Sequence, residues 1–314
     1  MECARVLSKL RFPATIIFLT VAGEEQGLNG SQHFAKMAKE QGWNIEAALN
    51  NDIVGGNKGP EQDFAVVRVF SEGVPVAADE KQLRQIRGLG GESDSHSREL
   101  ARYVAEVGRT YRTEVKPLLI FRLDRYLRGG DHYSFNEQGF AAVRFTEYRE
   151  DYNRQHQNIR TENGVEYGDL PKFVNFDYVA NVTRVNAATL ASLASGPSPP
   201  AMVRLDTHEL QNDSTLLWEG SRGANSYEVV WRATSSPEWE HAQNVGNVMR
   251  LQTGGVWLNA YTSTLGRYLE IRRAVFPVSV KTAIAAMGRS SAACAIDSQI
   301  ASATDKCWRC RRRR

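Results

Sequence analysis

The chain lacks any apolar run approaching the roughly 20 residues that a helix needs to cross a bilayer, so no membrane span is expected. Cysteine is scarce. Of four in 314 residues, Cys3 stands alone near the start, while Cys294, Cys307 and Cys310 lie near the end. No disulfide framework is legible, and the redox compartment stays open. An excess of basic charge is also missing from the body. Twelve of the 39 basic residues and only three of the 36 acidic ones lie from Met249 onward, leaving 27 basic against 33 acidic before it. The basic balance behind the net charge of +3 therefore comes from the tail and says nothing for a nucleic-acid face on the body, and no nucleic-acid partner is expected. A clear export signal is absent too. Lys9 and Arg11 before residues 14–23 give its outline, but that stretch reads better as a strand.

What is present supports a large core. At 314 residues and 42% hydrophobic content, the chain is long enough for two domains. Residues 15–19, T-I-I-F-L, read as a buried strand of a parallel sheet, and Gly23 ends it. Glu24 and Glu25 follow at its carboxyl end, where open α/β sheets bind their ligands. Consecutive side chains diverge there, so one can face a metal and the other a substrate. A bare Glu-Glu pair also reads as a solvated acidic turn before the helix expected over 32–39.

The remaining pattern alternates in the same way. A helix is expected over 2–10, stopped by Pro13. A second strand, 45–54, carries Asp52 at its end, where an isolated Asp also serves as a cap or turn residue. Residues 64–70 alternate as a strand and 71–91 read as an irregular insertion. A helix over 97–111 follows, with His96 before it as a cap or surface residue, then a strand over 115–121 and a closing helix over 177–193. S-G-P-S-P-P-A at 195–201 is a stiff linker. Beyond it, 215–219 and 226–232 alternate as strands around a polar turn. The expected fold is α/β, a mostly parallel central sheet flanked by helices, followed by a small all-β sandwich.

Three blocks recur in a set order: V-A-G-E-E-Q-G-L-N-G-S at 21–31, N-N-D-I-V-G at 50–55, and R-G-G-D-H-Y-S-F at 128–135 followed by G-F-A-A-V-R-F-T-E at 139–147. Together they resemble the family-28 zinc aminopeptidases, with Gly130 in place of a serine and Ala141 in place of a proline. The resemblance implies a zinc exopeptidase fold acting on peptides, with two zinc ions in intact relatives. It implies Glu24 as general base and Glu25, Asp52 and His156 as zinc ligands. Asp131 then orients a metal-bound histidine, and neither it nor His132 is itself a ligand. Many members carry a tyrosine next to the last ligand, where this chain has Gln155; an oxyanion-stabilising tyrosine is therefore Tyr152, Tyr148 or none.

The family also draws a histidine and a bridging aspartate from an H-x-D block ahead of the G-E-E strand, and residues 1–23 contain neither residue type. The resemblance covers residues 1–193 as the back two-thirds of a catalytic domain. The expectation is a zinc-dependent aminopeptidase by ancestry whose first part is missing and whose site is incomplete. The alternatives are a non-catalytic binding protein on the same fold and an adhesion-like protein whose β module is the working part. The expected domains are a metallopeptidase domain at 1–195, a linker at 196–201, a fibronectin type III-like domain at 202–276 with Trp218 in its core and its second half degraded, and a disordered basic tail at 277–314. Cys307-x-x-Cys310 supplies half of a four-cysteine zinc site at most. An intact parent is expected to be secreted or periplasmic.

Overall fold

A computed structural model describes residues 1–197, 200–206, 208, 214–221, 224, 226–233, 236–253 and 267–271. The expected tail with Cys294, Cys307 and Cys310 lies outside the described residues, as do Ser198 and Pro199 of the linker. The chain divides into two compact units. One comprises Met1–Leu7, Phe18–Ile86 and Asp94–Thr189; the other comprises Ser8–Ile17, Arg87–Ser93 and Leu190–Arg314.

The elements up to residue 195 are α1 (Glu2–Leu7), α2 (Asn29–Glu40), β1 (Ala48–Asn51), β2 (Val66–Ser71), α3 (Glu80–Leu89), α4 (His96–Thr110), β3 (Lys116–Ile120), α5 (His132–Glu137), β4 (Ala142–Glu147), β5 (Arg160–Glu162), β6 (Val165–Tyr167) and α6 (Phe176–Ser195). Strands β1 to β4 form one sheet in the order β1-β4-β2-β3. β1 with β4 and β2 with β3 are parallel, and β4 with β2 is antiparallel. Every residue of β4 is buried, as a central strand covered on both faces requires.

Helix α4 lays Leu100, Tyr103, Val104 and Val107 into the core, against Val67 and Val69 of β2 and Val143 and Phe145 of β4, all buried. Its N-cap is Ser95, whose Oγ accepts from Arg98 N at 3.1 Å; such a cap contributes about 1 kcal/mol. His96 is the first helical residue. Ala35 and Ala38 of α2 pack with Phe135 of α5, Phe140 and Ala142. Helix α6 is tied to the sheet by reciprocal Asn51 and Asn186 amide bonds of 2.9 and 3.0 Å, and by Tyr178 Oη donating to Val66 O at 2.8 Å.

Two expectations are corrected. Residues 15–20 carry no strand pairing, and Ile17, Phe18 and Leu19 are 50%, 43% and 42% exposed. A strand exists through its ladder rather than its composition, and among the described residues no strand pairs with this segment. The supposed irregular insertion contains α3, where Glu80 and Arg84 pair at one-turn spacing. An unanticipated hairpin joins β5 to β6 through Asn163 and Gly164, both at positive φ (50° and 78°), as a two-residue turn matched to strand twist demands.

The second unit holds β7 (Ala201–Leu205), β8 (Ser214–Glu219), β9 (Tyr227–Ala233), β10 (His241–Gly246), β11 (Arg250–Thr253) and β12 (Arg267–Ile271) in two three-stranded antiparallel sheets, β11-β8-β7 and β10-β9-β12. Inward residues of both sheets share one cluster of Leu216, Trp218, Tyr227 and Val229, with Val203, Trp231, Val245 and Leu251 around it. Trp218 is buried and meets Tyr227 edge-on at 5.7 Å.

Candidate metal centre

The geometry of the Glu-Glu turn follows from its glycines. Gly23 adopts φ 73°, which reverses the chain out of the extended stretch before it. A Cβ on Gly30 would lie 2.7 Å from Ala22 O and 2.8 Å from Ala22 N, so only glycine lets the first turn of α2 rest on the backbone leading to Glu24. The contact is closed by Gly30 N donating to Ala22 O at 2.9 Å and Leu28 N donating to Glu24 O at 2.9 Å. Ser31 Oγ pairs with Ser134 Oγ at 2.9 Å, both buried, which fastens α2 to α5 just after Asp131. The small residues of this block thus place the two glutamates against the third block.

Glu25 and His156, far apart in sequence, are brought together, with Oε1 3.3 Å from Nε2 and side chains 63% and 48% exposed. Oxygen and nitrogen donors each about 2.0–2.1 Å from a tetrahedral zinc are themselves roughly 3.3 Å apart. The pair therefore fits one edge of a zinc site. Asp52 is placed otherwise. Its Oδ2 lies 3.1 Å from Nη2 of the fully buried Arg144, an ion pair without hydrogen-bond alignment. Among the described residues no group of three His, Cys, Asp or Glu is arranged to hold a metal. The described donors fit an edge of the site rather than a closed set of three. Tyr152 and Tyr148 are 59% and 40% exposed.

Glu24 faces its acidic neighbours. Burial pushes its carboxyl above the ordinary range, and the charges of Asp52, Glu25 and Asp131 push it the same way against Arg144. Burial likewise raises Asp52, opposed by Arg144 and Arg125. His132 is wholly buried, and burial lowers its pKa against the raising effects of its bond to Leu123 O and of Asp124. Its Nε2 donates to Leu123 O at 2.8 Å, and its Nδ1 has no hydrogen-bond partner. A Cβ on Gly130 would come within 3.2 Å of Asn50 Nδ2, 3.3 Å of Asp52 Oδ2 and 3.4 Å of His132 Nδ1, so these groups crowd onto its bare backbone.

Behind Asp52 runs a ladder of alternating charge that sequence reasoning missed. Arg68 Nη2 meets Glu150 Oε1 at 2.8 Å, Glu150 Oε2 meets Arg125, Arg125 Nε meets Asp124 Oδ1 at 3.2 Å, and Asp124 Oδ1 accepts from Arg144 Nη1. Several buried polar atoms around this end have no hydrogen-bond partner, among them Asn50 Nδ2, Asp124 Oδ2, Asp131 Oδ1, His132 Nδ1, and Arg144 Nε and Nη2. Such atoms are rare in a folded interior, and each calls for a reason. Backbone strain gathers here as well, with Ile53 at φ 58° and His156 at φ 56°. The signal available in the sequence was Arg144 itself, a charge between the apolar Val143 and Phe145, which demands a partner if it is buried.

The family model for peptidase family M28 matches residues 1–166. The chain belongs to peptidase family M28. A "Probable zinc metalloprotease" of Pyricularia oryzae is 48% identical over 258 residues, covering 79% of this chain and 51% of that protein. Another, of Pyrenophora tritici-repentis, is 47% identical over 254 residues, covering 79% and 53%. The chain spans about half the length of the curated relatives it matches. The solved structure of Legionella LapA aligns with a TM-score of 0.42 and 24% identity over 62% of this chain and 45% of that one.

Proposed function

We propose that the M28 unit is a zinc-dependent exopeptidase that removes amino-terminal residues from peptides, with its site at the turn of Glu24 and Glu25. The observation that carries this reading is the 3.3 Å approach of Glu25 to His156, donors of the types and spacing that one zinc edge requires. Glu25 and His156 would hold one ion, and Asp52 would contribute to a second. A bound zinc supplies acidification of a water and polarisation of the scissile carbonyl. Glu24 would accept the proton of the attacking water and return it to the departing amine; its raised pKa suits a group that must both accept and return a proton. Asp131 is assigned to orienting a histidine ligand and Tyr152 to the oxyanion. The unit would occupy residues 1–195, with a fibronectin type III-like module at 202–276, in a protein exported from the cell.

A second reading, a non-catalytic binding protein on this fold, is favoured by the lack of a third donor among the described residues. Elemental analysis of dialysed protein separates the two, combined with hydrolysis of aminoacyl anilides. The peptidase reading expects zinc in the wild type, its loss in Glu25→Ala and His156→Ala, and a Glu24→Gln variant that keeps zinc but loses hydrolysis. Wild type that takes up no zinc, or Glu24→Gln that stays active, refutes it.

A further inference from the structure

We propose that Arg144 is a positioning residue that fixes the Asp52 carboxylate in its working orientation before any ligand arrives, an inference that rests on the site reading above. Arg144 stands on the fully buried strand β4, beside Asn50 of β1 in the sheet register and two residues from Asp52. Its side chain is completely buried, where an arginine is kept only with anionic partners. One arm of the guanidinium donates to Asp124, and the other faces Asp52 Oδ2 at 3.1 Å. Asp124 is held in turn by Arg125 N and Nε, at 2.6 and 3.2 Å, and Arg125 by Glu150.

The planar fork is therefore clamped from behind and presents a fixed edge to Asp52. Gly130 closes the other side, since its missing Cβ would stand 3.3 Å from the same Oδ2. That oxygen thus has the guanidinium edge on one side and, on the other, a site where only a residue without a Cβ leaves it room. Nε and Nη2 of Arg144 are buried without a hydrogen bond, a cost that a purely structural arginine would relieve by turning toward a better acceptor. The arrangement trades that cost for a fixed positive edge facing the Asp52 carboxylate at 3.1 Å. Lysine keeps the charge but has no fork, so it holds Asp52 less precisely.

The test compares Arg144→Lys with wild type by crystallography of metal-free protein and by zinc titration against a chromogenic chelator. Arg144→Lys is expected to show the Asp52 carboxylate turned or in two orientations, and to lose zinc affinity by about 10–100-fold, as loss of a group orienting a ligand does. An unchanged Asp52 in the metal-free variant overturns the proposal, and so does unchanged zinc affinity in a variant that folds. If Arg144→Lys fails to fold, Asp124→Asn, which releases the fork from behind while retaining Arg144, is judged by the same two readouts. Wild type without zinc would sink the peptidase reading, and the metal-free orientation of Asp52 would still decide the role of Arg144.

Discussion

The two halves of the candidate site are held in opposite ways. Glu25 and His156 meet in the open, with side chains 63% and 48% exposed, and little but their own turns supports them. Asp52 meets a wholly buried arginine at the end of a ladder that reaches back through Asp124, Arg125 and Glu150 to Arg68. Exposed ion pairs contribute about 0–1 kcal/mol to stability, whereas removing one partner of a buried pair costs about 3–5 kcal/mol. One half is thus open to ligand and nearly idle in folding; the other is part of the fold.

That contrast can be broken from its buried side first. Asp124→Ala, which strands Arg144 and Arg125 in the interior, is expected to destabilise the protein by about 3–5 kcal/mol in urea unfolding; a loss under 1 kcal/mol would mean that the ladder is not a structural unit. Gly30→Ala should cost about 1–3 kcal/mol through its clash with Ala22, and should shift the Glu24 and Glu25 turn in a crystal structure. On the exposed side, Glu25→Ala should leave the unfolding midpoint within about 1 kcal/mol of wild type, and a larger loss would erase the distinction.

The smallest effect is one of pH. Burial raises the Glu72 carboxyl, although Val76 N and Ser97 Oγ donate to it. Its folded pKa lies above its unfolded one, so its contribution is fully present below the unfolded value and declines as pH rises through the folded value. Glu72→Gln should flatten that decline, gaining on wild type at neutral pH and not in acid. Equal pH dependence of the two melting temperatures would contradict it.

What was legible in the sequence was local or carried by spacing. Strands β2 and β3 and helices α4 and α6 follow apolar periodicity, while the joining of Glu25 and His156 was implied by the family resemblance alone. The hairpin was legible in Asn163-Gly164 and went unread. So did α3, whose Leu83 and Ile86 lie at helical spacing in a charged stretch that looked like loop. Residues 15–20 misled because pairing is decided by a neighbour and composition by the segment alone. The ladder was illegible for a deeper reason: Arg68, Asp124, Arg125, Arg144 and Glu150 come from separate strands and loops, and only the folded sheet makes them adjacent.

Ile53 shows how such a site limits change. It holds φ 58°, which a β-branched residue resists, while its carbonyl accepts from Glu147 N at 2.8 Å and Thr146 Oγ1 at 3.2 Å. Selection for heat resistance alone would drift toward glycine or asparagine at this position, relieving the strain. The same drift would soften the joint one residue from Asp52, so durability and aim pull in opposite directions at one backbone position.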